Sequence, residues 1–99
     1  MNLKELQEWV NEDWSKASKK NPDPHLQLLY LFEELGEMCE AIRKMSGDKE
    51  RKNMDADLEG ELGDVLIVLA TVANNYGIDL NSAVLKSKKK IIERHKRGF

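Results

Sequence analysis

A chain of 99 residues, 40% hydrophobic and 34% charged with 2 prolines and 6 glycines, has the length of one small domain and the makeup of a helical one. Its apolar content excludes a disordered chain, and its apolar runs fall short of the about 20 residues of a membrane span. The net charge of −2 and pI ≈ 5.7 argue against a nucleic-acid partner. A single cysteine, Cys39, excludes an internal disulfide, and its place on a helical apolar stripe predicts a small buried hydrophobe. The start MNLKELQEWVNED is amphipathic and acidic without an apolar signal-peptide centre, so the expected location is the cytoplasm.

Leu3, Leu6, Val10 and Trp14 recur at helical spacing and predict a first helix over 3–18, ended by Asn21-Pro22-Asp23-Pro24. Leu28, Leu31, Leu35, Cys39 or Met38, Ile42 and Met45 predict a long second helix entered through Pro24 and stopped by Ser46-Gly47-Asp48. Leu58, Leu62, Val65, Leu69, Val72 and Tyr76 mark a third, starting near Asp55 and ending where Gly77 suits a left-handed position. Asp79 or Asn81 can cap a fourth, which carries Leu80, Val84 and Ile91 on one side and runs into a basic tail. The fold class is therefore all-α: a four-helix bundle-like protomer, one domain over 1–99, with a central antiparallel helix hairpin. Ile67, Val68 and Thr71 widen the apolar surface of the third helix, and with the resemblance below predict a homodimer or homotetramer assembled through helices.

Two copies of one word, Glu34-Leu35-Gly36-Glu37 and Glu61-Leu62-Gly63-Asp64, lie inside the second and third helices. At 100° per residue, with Leu35 and Leu62 as reference directions, Glu34 and Glu61 stand at about −100°, and Glu37 and Asp64 at about −160°. If the helices face each other through their apolar stripes and run antiparallel, all four acids project to one side at one level. Four converging carboxylates repel, so the pattern calls for a hard divalent ion, for which oxygen ligands without His or Cys suit Mg²⁺, with Mn²⁺ as an alternative. Glu33 and Glu40 border the same surface. Glycine inside a helix costs roughly 1 kcal/mol against alanine, so Gly36 and Gly63 suggest close helix approach or room for a ligand.

The residues Glu33-Glu34-Leu35-Gly36-Glu37, followed by Glu61-Leu62-Gly63-Asp64, resemble the paired E-E-x-x-E and E-x-x-D signature of the MazG-type all-α nucleoside triphosphate pyrophosphohydrolases. LQEWV, DVLIVLATVANNYGID and the Lys90 to Arg94 segment extend the likeness along most of the chain. The resemblance implies Mg²⁺-dependent hydrolysis of a nucleoside triphosphate between the α and β phosphates, giving a monophosphate and pyrophosphate. It implies that Glu34, Glu37, Glu61 and Asp64 hold the metal, with Glu37 also among the catalytic acids and Glu33 or Glu40 orienting the attacking water or binding a further ion, and that Lys90 and Arg94 contact phosphate. It also implies substrate lying between helices of neighbouring protomers.

Lys86, Lys90 and Arg94, at i, i+4 and i+8, form one stripe with Lys89 and Arg97 nearby, which fits either phosphate binding or a solvated face. Trp9 and Trp14 can stack on a base, although tryptophan at helical spacing is more often core. Tyr30 and Asn75 could line the pocket, while His25 and His95 have no metal-ligand spacing. Three other readings remain open. Phosphoribosyl-ATP pyrophosphohydrolase shares the acidic logic and separates by substrate assay. A di-iron carboxylate bundle expects Glu-x-x-His, absent here. A non-enzymatic helical interaction module would leave the acids as solvated surface.

Overall fold

Asn2 opens the first helix of the computed structural model, which describes residues 1–14, 16, 24–46 and 57–98. Its side chain accepts from the Glu5 amide at 2.8 Å and Glu5 accepts from the Asn2 amide at 3.1 Å, a reciprocal cap that starts α1 (Leu3–Trp9). The expected regular helix gives way after Trp9 to a π-helical continuation, Val10–Trp14. The core explains the change. Leu6, Val10 (1% exposed) and Ala70 form a buried cluster with Trp9 and Trp14 both packed on it. Residues five apart on an α-helix diverge by about 140°; the wider i→i+5 turn swings Trp14 back toward the side of Trp9.

The second helix, α2 (Pro24–Met45), closes where Ser46 Oγ donates to the Ile42 carbonyl at 2.8 Å. The third, α3 (Leu58–Asn75), begins later than the position near Asp55 read from the sequence, because Asp57 is its cap and accepts from the Gly60 amide at 2.9 Å. The stop at Asn21-Pro22-Asp23, the break at Gly47-Asp48 and the connection through Met54 and Asp55 lie outside the described residues.

Gly77, at φ 63°, ends α3: its amide donates to the Asn74 carbonyl at 3.2 Å and the Ile78 amide to Ala73 at 2.8 Å, the paired bonds of a left-handed helix stop. Asp79 then caps α4 (Leu80–Lys96), accepting from Asn81 at 2.8 Å and Ser82 at 3.2 Å.

Four helices are thus present among the described residues, and the chain is all-α. The principal packing joins α2 to α3, while α1 lies across α3 and carries α4. Gln7 fastens that second junction. Its Nε2 donates to Asn74 Oδ1 at 3.0 Å and to the Ile78 carbonyl at 2.8 Å, its Oε1 accepts from the Leu80 amide at 2.9 Å, and Asn74 Nδ2 returns a bond to the Gln7 carbonyl at 3.0 Å. Beyond its first turn α4 is thinly covered: none of its residues is buried. No described helix is long and apolar enough to cross a membrane.

The helix faces differ from the sequence expectation in one respect that matters. Among the covered residues of α2, Gln27, Leu31, Glu34, Met38 and Ala41 form a row centred about −80° from Leu35, itself half-buried. Those of α3 toward α2 are Glu61, Val65, Val68, Val72 and Asn75, centred about −100° from Leu62. The pair therefore packs through faces turned toward the acids, with alanine and valine permitting the approach. Part of each predicted stripe is left outward, Leu28 and Ile42 on α2 and Leu62 (48% exposed) and Leu69 on α3, with Phe32 (64%) and Leu66 beside them, while Leu31, Val65 and Val72 are covered. By the same rotation Cys39 is exposed, not buried, and Met38 takes the covered position. Val68 and Thr71 are buried within the protomer, so the uncovered apolar surface lies on the leucine stripes and not on them.

Candidate metal centre

The rotation of α2 and α3 puts the acids into the seam between the helices. Glu34 and Glu61, near −100°, are half-buried, whereas Glu37 and Asp64, near −160°, stand at its solvent edge. One carboxylate oxygen from each of Glu34, Glu61 and Asp64 lies within 4.8 Å of the others. Glu37 stands beside Glu61, near enough for its side chain to act on that carboxyl.

Glu61 bears the strain of this crowding. Burial, then the charge and hydrogen bond of Glu37, then the charges of Asp64 and Glu34, push its carboxyl above the usual value of 4.5. Its Oε2 is shut from solvent with no hydrogen-bond partner among the described residues. A buried anionic oxygen in that condition is costly unless something positive satisfies it. An all-oxygen set of three to four carboxylates, partly open to water, matches the coordination habit of a hard divalent cation that keeps some waters.

The remaining sequence candidates distribute unevenly. Glu33 is exposed on α2, and Glu40, half-buried one turn beyond Glu37, pairs with Arg43 at 3.6 Å. Tyr30 is half-buried on α2 on the acidic side, and Asn75, further along the α3 seam, has its Nδ2 buried without a partner among the described residues. Trp14 lies against the Leu6 and Val10 cluster, as does Trp9. Lys86, Lys90 and Arg94 share one face of α4 and, with Lys89, Glu93 and Arg97, line a shallow cavity of about 400 Å³. Helix α4 packs on α1 and not on the α2–α3 seam to any comparable extent, so these cations stand apart from the acids within one chain. His25 and His95 are exposed.

The helix-interior glycines prove not to be sites of close approach: a Cβ built on Gly36 or Gly63 meets nothing within 4 Å, so both leave open space. Sequence reasoning passed over Gln27, 1% exposed and the largest fully covered side chain of α2. Its signal was its place seven residues before Glu34, about 20° from it in direction. Gln7 was also missed. An amide on an otherwise solvated helix position gives no local sign that it will bridge to residues 67 to 73 positions away.

The profile of the MazG nucleotide pyrophosphohydrolase domain matches residues 23–99, from the start of α2 through both acidic words to the chain's end. This chain belongs to the MazG family. Among the elements described, α1 and its π-helical continuation precede the matched segment of this MazG domain. It is similar to YvdC, an uncharacterized protein of Bacillus subtilis (strain 168), at 26% identity over 95% of this chain and 96% of that protein. It is similar to YpjD, another uncharacterized protein of the same strain, at 32% identity over 82% and 75%. The Gene 37 protein of Mycobacterium phage L5 is 33% identical over 69% and 62% of the two chains. No solved structure matches it.

Proposed function

We propose that this MazG domain hydrolyses nucleoside triphosphates between the α and β phosphates, with Mg²⁺ or Mn²⁺, releasing pyrophosphate as part of nucleotide-pool house-cleaning. The observation that carries the reading is the seam cluster: oxygens of Glu34, Glu61 and Asp64 within 4.8 Å, with Glu37 against Glu61. Glu34, Glu61, Asp64 and Glu37 would hold the metal, which supplies neutralisation of phosphate oxygens and an electrostatic hold on the triphosphate. Glu37, exposed at the edge of the seam, would take a proton from an attacking water, and Glu33 or Glu40, on neighbouring turns of α2, would orient that water or bind a further ion. Lys86, Lys90 and Arg94 present the charge that a triphosphate needs, and Trp14, Tyr30 and Asn75 are the candidates for holding the nucleoside.

The separation of α4 from the acids within one chain supports an assembly in which a neighbouring copy brings cations to the seam. The surface agrees. Leu28, Phe32, Leu62, Leu66 and Leu69 of α2 and α3 present the apolar surface that such a copy would cover.

The test is a panel of ribo- and deoxynucleoside triphosphates, with phosphoribosyl-ATP, in Mg²⁺, scoring pyrophosphate against orthophosphate. Pyrophosphate from a triphosphate, lost in Glu61→Gln, is expected. Orthophosphate as first product refutes the α,β cleavage, and turnover of phosphoribosyl-ATP alone refutes the substrate class.

A further inference from the structure

The charge of α4 is not uniform. Five cations, Lys86, Lys89, Lys90, Arg94 and Arg97, line the cavity of about 400 Å³ on its surface, and with them one acid, Glu93. Glu93 is the one acid of the helix. It stands among the cations and not at their edge: Lys86, Lys89 and Lys90 precede it along the axis, and Arg94 and Arg97 follow it. At 100° per residue, Lys89 lies about 40° to one side of it, and Arg97 and Lys90 about 40° and 60° to the other. The four-residue spacing to Lys89 and to Arg97 suits ordinary pairs along a helix. The Glu93 carboxylate nevertheless makes no ion pair among the described residues.

We infer that Glu93 determines which phosphates this cavity admits: a polyphosphate that arrives with Mg²⁺ bound, in preference to the same polyphosphate bare. The inference rests on the proposed hydrolysis for reading the α4 cations as phosphate contacts. A carboxylate one turn from its neighbours stands about 6 Å from a phosphate held between them. In water, two like unit charges at that distance cost a factor of about three in affinity, which physiological salt reduces to about 1.7. A triphosphate chain carries about four negative charges bare and about two with Mg²⁺. The repulsion therefore compounds to about eightfold against the bare chain and about threefold against the complex. Bound Mg²⁺ also keeps several waters, which donate hydrogen bonds to a carboxylate, so for the complex an attraction offsets the repulsion that remains. Five cations outweigh one acid. The cavity thus stays open to phosphate, and Glu93 alters only its choice.

The seam has the same preference, since Glu34, Glu37, Glu61 and Asp64 repel a bare anion and accept a cation. Both parts of the proposed site therefore select the metal complex. A phosphodiester chain, bare along its length, is disfavoured by Glu93 in the same way.

The test measures inorganic tripolyphosphate by calorimetry on the full chain carrying Asp64→Asn, which silences the seam, once with a metal chelator and once in excess Mg²⁺. Glu93→Gln is expected to tighten the bare tripolyphosphate by about eightfold and its Mg²⁺ complex by no more than about threefold, so that the preference for the complex falls. The gain is expected to vanish at about 1 M salt. Glu12→Gln makes the same change of net charge on an exposed residue outside the cavity, and is expected to move neither affinity by more than about twofold. The inference is overturned if Glu93→Gln leaves the bare affinity unchanged, if it raises both forms equally, or if Glu12→Gln does as much. Lys90→Gln separates it from the reading on which it rests. Binding that Lys90→Gln removes and Glu93→Gln does not alter sinks the inference alone. If no tripolyphosphate binds with or without Glu93, the phosphate reading of α4 falls and the inference with it.

Discussion

Replacing Gln7 by leucine should loosen the junction of α1, α3 and α4 while leaving the acidic seam intact. The side chain makes three hydrogen bonds, to Asn74 Oδ1, the Ile78 carbonyl and the Leu80 amide, and two of the three are partly buried. A net contribution of about 1 kcal/mol for each partly buried bond and less for the exposed one gives roughly 2–3 kcal/mol. Leucine has similar bulk, so the change reads lost bonds and not a cavity. For a domain of this size each kcal/mol moves the melting midpoint by about 4–8 °C, so a fall of about 10–20 °C is expected in a thermal melt followed by circular dichroism. Gln7→Glu, which keeps the acceptor for Leu80 but loses both donors, should fall between the two. Mg²⁺ affinity should not change, because no acid of the seam touches this junction. A shift under about 3 °C would show that the bonds are replaced by water at little cost and would refute the assignment of Gln7 as the fastener of α4.

Further outcomes follow from the site and the caps. Because the Glu61 carboxyl is raised above 4.5, the folded chain keeps a proton that the unfolded chain releases; this contribution to stability is whole below that value and lost as pH rises through the raised one. Glu61→Gln should therefore flatten the pH dependence of the metal-free melt, and in the wild type Mg²⁺, which competes with that proton, should bind more tightly at about pH 8 than at about pH 5 by calorimetry. Asp64→Asn should abolish detectable Mg²⁺ binding with the far-ultraviolet spectrum unchanged; retained affinity would remove the seam as the metal centre. Gly36→Ala should raise stability by up to about 1 kcal/mol in a urea titration, since the added methyl meets nothing, while Gly77→Ala should lower it by a similar amount because of its positive φ. Asn2→Ala removes the α1 cap and should cost about 1 kcal/mol in the same titration.

The helices were legible in the sequence because each advertises itself locally. Apolar spacing gave their interiors, and Gly77 and Asp79 gave the boundary between α3 and α4. The convergence of Glu34, Glu37, Glu61 and Asp64 was legible too, since two equal offsets on paired helices survive small errors in register. What did not survive was the assumption that the most apolar stripe is the one packed within the chain. Val65, Val68 and Ala41 pack the seam, while Leu62, Leu66 and Phe32 face outward, a choice that depends on what else is available to cover leucine. The π-helical turn was hidden for a related reason: its driving force is the shared seat of Trp9 and Trp14 on Val10 and Leu6, which no local pattern states. Cys39 went wrong with the stripe to which it had been assigned.

Helix α4, tethered through Gln7 and its capped first turn, is geometrically a boom on a short pivot. Its 17 residues reach about 25 Å, so a tilt of about 10° at the Gly77 corner carries Arg94 through some 4 Å. Few degrees of freedom in a small chain translate so little bending into so much travel of positive charge.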